Sequence, residues 1–115
     1  VQNKMLFGSV RNAAGKFVKA STDGVTAAAA AAAATMPADY RVSITNAPGE
    51  ASYPISSFTW LLVPVQSTDP AKAQALSGFL YWMLDHGEAE AAGMSYAPLP
   101  RQVQEMVRKT IAQVK

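Results

Sequence analysis

Tyr53-Pro-Ile-Ser-Ser-Phe-Thr-Trp-Leu-Leu-Val-Pro-Val65 is the stretch against which every other segment has to be placed. From Ile55 to Val63 it carries no charge, and β-branched and aromatic side chains dominate, types that suit a pleated, packed surface. Read with period two, Ile55, Ser57, Thr59, Leu61 and Val63 share one face, while Ser56, Phe58, Trp60 and Leu62 share the other. Neither face is polar enough for water, so the pattern predicts an interior strand covered on both sides. Pro54 and Pro64 bracket it and mark where ladder pairing stops. Such a strand needs neighbours in its sheet and helices above and below.

Upstream, Tyr40, Val42 and Ile44 alternate with Arg41, Ser43 and Thr45, a half-buried strand pattern, and Asn46-Ala-Pro-Gly49 forms a turn. Before them, Ser21, Thr22 and Asp23 offer N-caps for a helix running through Ala34 and ended by Pro37. Ala27 to Ala34 are eight consecutive alanines, the best intrinsic helix formers. A low-complexity linker is the competing reading. Helix is preferred because alanine loses little side-chain entropy on ordering and lets a helix lie close to a sheet. Met5 to Val10 and Lys16 to Val18, separated by Arg11-Asn-Ala-Ala-Gly15, predict a β-hairpin with Gly15 free to take positive φ.

Downstream, Asp69 caps and Pro70 starts a helix whose stripe is Leu76, Phe79, Leu80, Met83 and Leu84, with Trp82 off the stripe and Gly87 closing it. Glu88 to Ala92 adds a further turn or two, ended by Gly93, and Tyr96-Ala-Pro-Leu-Pro100 is a stiff connector. The last helix runs from Pro100 or Arg101 to about Val114, with Val103, Met106, Val107, Thr110, Ile111 and Val114 on one face. The expected order is β-β-α-β-β-α-(α)-α, an α/β chain with too few strands for a complete doubly wound sheet. The shortfall points to a fragment or to a chain completed by association.

A length of 115 residues implies one domain, and half the residues are hydrophobic with 16% charged, as in globular chains. The net charge of +2 is too small to argue for nucleic acid or an anionic membrane. Lys4, Arg11, Lys16 and Lys19 precede the first acid but are dispersed and lack interleaved aromatics, so a solvated hairpin surface is preferred. The absence of cysteine excludes disulfides, thiolate metal sites and cysteine nucleophiles. The alanine tract is too short and too weakly apolar to span a bilayer. No basic-then-apolar leader opens the chain, and a start on Val1 fits a processed or excised piece.

Few residues offer chemistry. His86, beside Asp85, is read as a cation at a helix end, since adjacent helical residues point in different directions and no serine is placed to complete a triad. One histidine with scattered carboxylates makes no metal site, and Asp85, Glu88 and Glu90 are read as a solvated helix end. Gly15 and Gly24 belong to no phosphate-cradling motif. Ser56, Ser57 and Thr59 are read as satisfied structural hydroxyls, and Met36, Met83, Met94 and Met106 as core filler.

Several segments nevertheless resemble a known family. Asn12-Ala-Ala-Gly-Lys-Phe-Val18, the Ser-led alanine-rich helix, Asp39-Tyr-Arg-Val-Ser-Ile-Thr-Asn-Ala-Pro-Gly49, the stretch from Tyr53 to Val63, and Gly93-Met-Ser-Tyr-Ala-Pro-Leu-Pro100 follow in order. Together they resemble the C-terminal third of bacterial phosphate-binding proteins, the extracytoplasmic receptors of phosphate ABC importers. Gly24 stands where that family often has Glu, weakening a capping box. The resemblance implies the C-terminal portion of a two-lobed periplasmic-binding-protein (type II) fold. Residues 1–50 would end one lobe, and residues 51–115 would cross back and build the C-terminal helices of the other. It implies a receptor that captures inorganic phosphate and delivers it to a membrane permease, without catalysis or cofactor, with this segment as scaffold and hinge. The family's phosphate-contacting motifs precede the matched region, so the resemblance carries no catalytic, phosphate-binding or metal residue into this sequence. Periplasmic or extracytoplasmic location follows from the same resemblance. The alternative is a self-associating α/β interaction module with no small-molecule ligand.

Overall fold

Helix α1 (Thr22–Ala32) begins where the caps predict: Ser21 is extended, and its Oγ accepts from the amide of Gly24 at 3.0 Å. A 3₁₀ turn (Ala33–Thr35) follows and the helical run stops before Pro37. The computed structural model describes residues 5–115, so Val1 and Lys4 lie outside the described residues. The hairpin forms, but its ladder is only β1 (Val10–Arg11) against β2 (Phe17–Val18), antiparallel, with Gly15 at φ 78° in the loop. Met5 to Ser9 stays outside the ladder and is exposed.

Helix α2 (Pro70–Trp82) is capped by Asp69, whose side chain accepts from the amides of Ala71 and Lys72. Gly87 does not close this helical run. It keeps right-handed geometry, and the chain passes through a π turn (Met83–Gly87) into α3 (Glu88–Ala91) and a 3₁₀ turn (Ala92–Met94). Ser95, at φ 64°, ends it, with Ser95 donating to the Ala92 carbonyl and Tyr96 to that of Ala91, the paired bonds of a Schellman end. Phe79 also departs from the expected stripe: Leu80 and Leu84 are buried, whereas Phe79 faces solvent with Trp82. Helix α4 (Arg101–Ile111) buries Val103 and Ile111 and half-buries Met106, Val107 and Thr110, the expected face. It ends short of Val114 because the last residues turn to exchange backbone bonds with another segment, Lys115 N to Val65 O and Ser67 N to Lys115 O.

The third and fourth expected strands are absent as ladders, so the order among the described residues is β-β-α-α-α-α with short 3₁₀ and π turns. The two segments do lie side by side and run in opposite directions. Asn46 N donates to Pro54 O at 2.8 Å, Thr45 Oγ1 to Ser56 O at 3.3 Å, and Trp60 Nε1 to Tyr40 O at 3.1 Å. A ladder fails here for local reasons. Tyr40 and Asn46 are left-handed, at φ 60° and 52°, which breaks the extended run at both ends, and Pro54 has no amide to donate. Far from being covered on both sides, Ile55 is 67% exposed and Leu62 97% exposed. A strand is a relation between segments, and the segment from Ile55 to Val63 finds no backbone partner for its amides among the described residues.

Burial is divided between two small clusters. Ala28, Ala29 and Ala32 of α1 pack on Ile44 and Ala47, with Val42 and Phe58 against them. Leu80, Leu84 and Ile111 form the second, with Val63, Leu99 and Val107 against them. The Cα radius of gyration is 16.1 Å, against about 13 Å for an ordinary domain of this length. The accessible surface is 8106 Å², where a compact chain of this mass exposes about 6,100 Å².

Candidate functional site

An open trough of about 1170 Å³ runs between the two clusters. Tyr40, Phe58 and Trp60 line one side, and Leu80, Val107 and Ile111 line the other. Phe58 and Trp60 meet edge to face, ring centres 6.3 Å apart. The hydroxyls of Tyr40 and Thr110 lie 2.6 Å apart across the trough. Thr110 Oγ1 also lies 3.3 Å from the Met106 carbonyl. At the rim, Arg41 contacts both oxygens of Asp39, by its guanidinium at 2.8 Å and its amide at 3.2 Å. The Arg41 side-chain bond, then its amide, hold the Asp39 carboxyl below the usual carboxylate range. Walls of this kind suit apolar side chains. A phosphate ion entering them would lose its hydration without gaining a cluster of donors.

The residues singled out from sequence have other partners. His86 sits in the π turn, exposed, and stacks on Trp82 at 6.2 Å, which itself stacks on Phe79 at 6.1 Å. Asp85 pairs with Arg108 rather than with His86, and Arg108 also lies over the Tyr81 ring at 5.5 Å. Glu88 accepts from the amide of Leu99 at 2.7 Å, tying α3 to the proline connector. Among the described residues no three acids or histidines converge on one point. Ser56 is buried and donates to the Tyr53 carbonyl at 2.7 Å, and Ser57 donates to that of Phe58, whereas Thr59 is exposed. Met83 packs on the second cluster, but Met94 is 57% exposed and fills no core. Arg11, Lys16 and Lys19 are exposed, with Lys16 4.0 Å from Glu50.

Three positions outside the trough tie its segments together; from sequence no role is read for Asn12 or Thr26, and for Gly24 only a weakened capping box. Asn12, buried in the hairpin loop, donates to the carbonyls of Gly49, Glu50 and Ser52 and accepts from the amides of Ala14 and Lys16. Gly24 brings α1 against the turn: its carbonyl accepts from Tyr53 N at 2.9 Å, and a Cβ there would stand 3.1 Å from that of Tyr53. Thr26 donates to the Pro98 carbonyl at 3.0 Å, joining α1 to the connector before α4. The signal for Asn12 was in the sequence, since an Asn opening a Gly-containing loop is the residue that bonds its own backbone two positions on.

No protein-family model matches the chain. Curated relatives do. A protein of Xylella fastidiosa named phosphate-binding protein PstS is 37% identical over 100 residues, 87% of this chain and 28% of that protein. The chain belongs to the phosphate-binding protein family. Proteins of the same name from Pasteurella multocida and Methanocaldococcus jannaschii are 32% and 31% identical, over 99% and 100% of this chain and 32% of each. The chain thus spans about a third or less of the length of the phosphate-binding relatives it matches. Those relatives are named for binding, not for a reaction. Among the described residues no helix is long and apolar enough to cross a membrane.

Proposed function

We propose that this chain forms the C-terminal scaffold and hinge of a receptor that captures inorganic phosphate and hands it to an ABC-type permease from the extracytoplasmic side. The observation that carries this reading is the match to proteins named for phosphate binding over 87% to 100% of the chain. Residues 1–50 end one lobe in this reading, and residues 51–115 cross to the other and supply its closing helices. The division of burial supports it: α1, Ile44 and Ala47 make one cluster, Leu80, Leu84 and Ile111 the other, with the run between Phe58 and Val63 joining them. The excess surface supports it too, because the unpaired run from Ile55 to Leu62, with Ile55, Trp60, Leu61 and Leu62 exposed, offers an edge to a neighbouring part of such a receptor. Phosphate ligands come from elsewhere in the receptor and none from this segment.

The test is a chimera in which these residues replace the matching segment of the Xylella fastidiosa relative. Calorimetry should find phosphate bound by the folded chimera and no phosphate bound by the 115-residue chain. A chimera that folds by circular dichroism but has lost phosphate binding overturns the scaffold role, and tight binding by the chain alone overturns the assignment of ligands.

A further inference from the structure

Two side-chain hydroxyls fasten the two parts of this chain to each other. The part ending at Phe58 carries the hairpin, α1 and the first cluster; the part beginning at Val63 carries α2, α3, α4 and the second, and the clusters share no residue. Among the described residues every ion pair stays within one part, and so does every backbone bond between segments. Besides the covalent run that joins them, the parts are bridged by Thr26 Oγ1 donating to the Pro98 carbonyl at 3.0 Å and by the Tyr40 and Thr110 hydroxyls at 2.6 Å. Thr26, Tyr40 and Thr110 are half-buried, which strengthens both bonds against competing water. Pro98 and Pro100 stiffen the backbone around the acceptor carbonyl. Tyr40 holds φ 60°, a costly geometry for a tyrosine that persists where the surroundings over-determine it. Here its carbonyl accepts from Trp60 while its hydroxyl meets Thr110.

We propose that Thr26 and Tyr40 are positioning residues, whose hydroxyls set how the two parts sit against each other and, through that, how tightly the intact receptor holds phosphate. A single covalent crossing does not by itself fix an angle. Two hydroxyl bonds are few enough to break and re-form while each cluster stays folded. The link to phosphate rests on the receptor reading, in which the two parts belong to different lobes. A looser arrangement then leaves a smaller fraction of the receptor ready to hold the ion. The placement of the two parts does not depend on that reading.

The chain has no cysteine, so Ala30→Cys on α1 and Lys109→Cys on α4, both exposed, put one nitroxide label on each part. Double electron–electron resonance on the 115-residue chain should give one narrow distance between them. Thr26→Val with Tyr40→Phe removes both hydroxyls and should lengthen and broaden that distance while circular dichroism shows the helices retained. Should the double variant unfold, Tyr40→Phe alone, which deletes one oxygen, is read the same way. Thr26→Ser keeps an Oγ and should leave the distance narrow. Thr45→Val deletes a bond of the same kind inside the first part, Thr45 Oγ1 to Ser56 O at 3.3 Å, and should also leave it narrow. In the Xylella fastidiosa chimera the double variant should weaken phosphate binding about fivefold or more, and Thr45→Val should not. A distance unchanged without the two hydroxyls, or altered as much by Thr45→Val, overturns the positioning role. Unweakened phosphate binding by the double variant overturns its link to the ion. A chimera that binds no phosphate with both hydroxyls intact counts against the receptor reading instead, and the label distance still decides whether these residues position the parts.

Discussion

The side-chain amide of Asn12 donates to the carbonyl of Glu50 at 2.8 Å, across 38 positions of sequence, and this contact locks the hairpin loop onto the turn that launches residues 53–63. The same amide nitrogen lies 3.1 Å from the carbonyls of both Gly49 and Ser52, while Oδ1 accepts from two amides of its own loop. One buried side chain thereby serves five backbone groups.

Replacing it strands several of them. Asn12→Ala should lower unfolding free energy by about 2 kcal/mol, the cost of leaving buried polar groups unpaired. Asn12→Asp should not rescue it, because a carboxylate facing three carbonyls has no proton to give. Urea unfolding checks the magnitude. Faster hydrogen exchange at Ala14 and Lys16, whose amides bond Oδ1, would locate the effect of Asn12→Ala.

The turn itself depends on Gly49. Its φ is 118°, and a Cβ there would lie 2.8 Å from Ser52 Oγ, which is already held by the Pro48 carbonyl at 2.7 Å. Gly49→Ala should therefore cost about 2 kcal/mol from backbone strain and the close approach. Gly15→Ala, at φ 78° with only the flexible Arg11 side chain nearby, should cost about 1 kcal/mol. If thermal melting shows the two substitutions equal, the steric part of this argument is wrong.

Across the trough, Tyr40→Phe and Thr110→Val each remove one side of a 2.6 Å hydroxyl pair. Each should destabilise by about 1 kcal/mol, and the double variant should fall short of their sum because both delete the same bond. A fully additive cycle would mean that this bridge is not formed in solution.

At the rim, Arg41→Gln should return the Asp39 carboxyl toward the ordinary carboxylate range, read by carbon NMR titration. The sign follows from a lowered folded pKa: the pair contributes above the ordinary aspartate pKa, and its contribution is lost as pH falls through the lowered one. Both groups are exposed, so the stability at neutral pH should hardly change. An unmoved Asp39 titration in the variant would refute the pairing.

The helices were legible because their instructions are local. Ser21 and Asp69 cap where they should, and the face Val103, Met106, Val107, Thr110 and Ile111 points inward as its spacing requires. The third and fourth strands were not, because Ile55 to Val63 carries the propensity of a strand without a backbone partner among the described residues, and no residue type encodes whether one will be present. The left-handed residue at Tyr40 gave no warning, since Tyr does not ordinarily take positive φ, whereas Asn46 opens the turn expected there and is a type that tolerates it. The outward turn of Phe79 has a different origin. Ala73, Leu80 and Leu84 hold the buried side at regular helical spacing, which leaves Phe79 on the flank of the stripe, where it stacks on Trp82 and Trp82 on His86.

The alanine tract is located by its ends alone. Ser21 Oγ, the Gly24 carbonyl and Thr26 Oγ1 each hold a named partner, and from Ala27 to Ala34 every side chain is a methyl group. Which methyls meet Ile44 is therefore settled by counting residues from Thr26, not by any distinction among them. A ninth alanine would keep the composition and helix propensity of the tract, yet rotate everything beyond it by about 100° and advance it about 1.5 Å. This part of the chain behaves as a ruler: it tolerates no change in length, though its lettering could hardly be simpler.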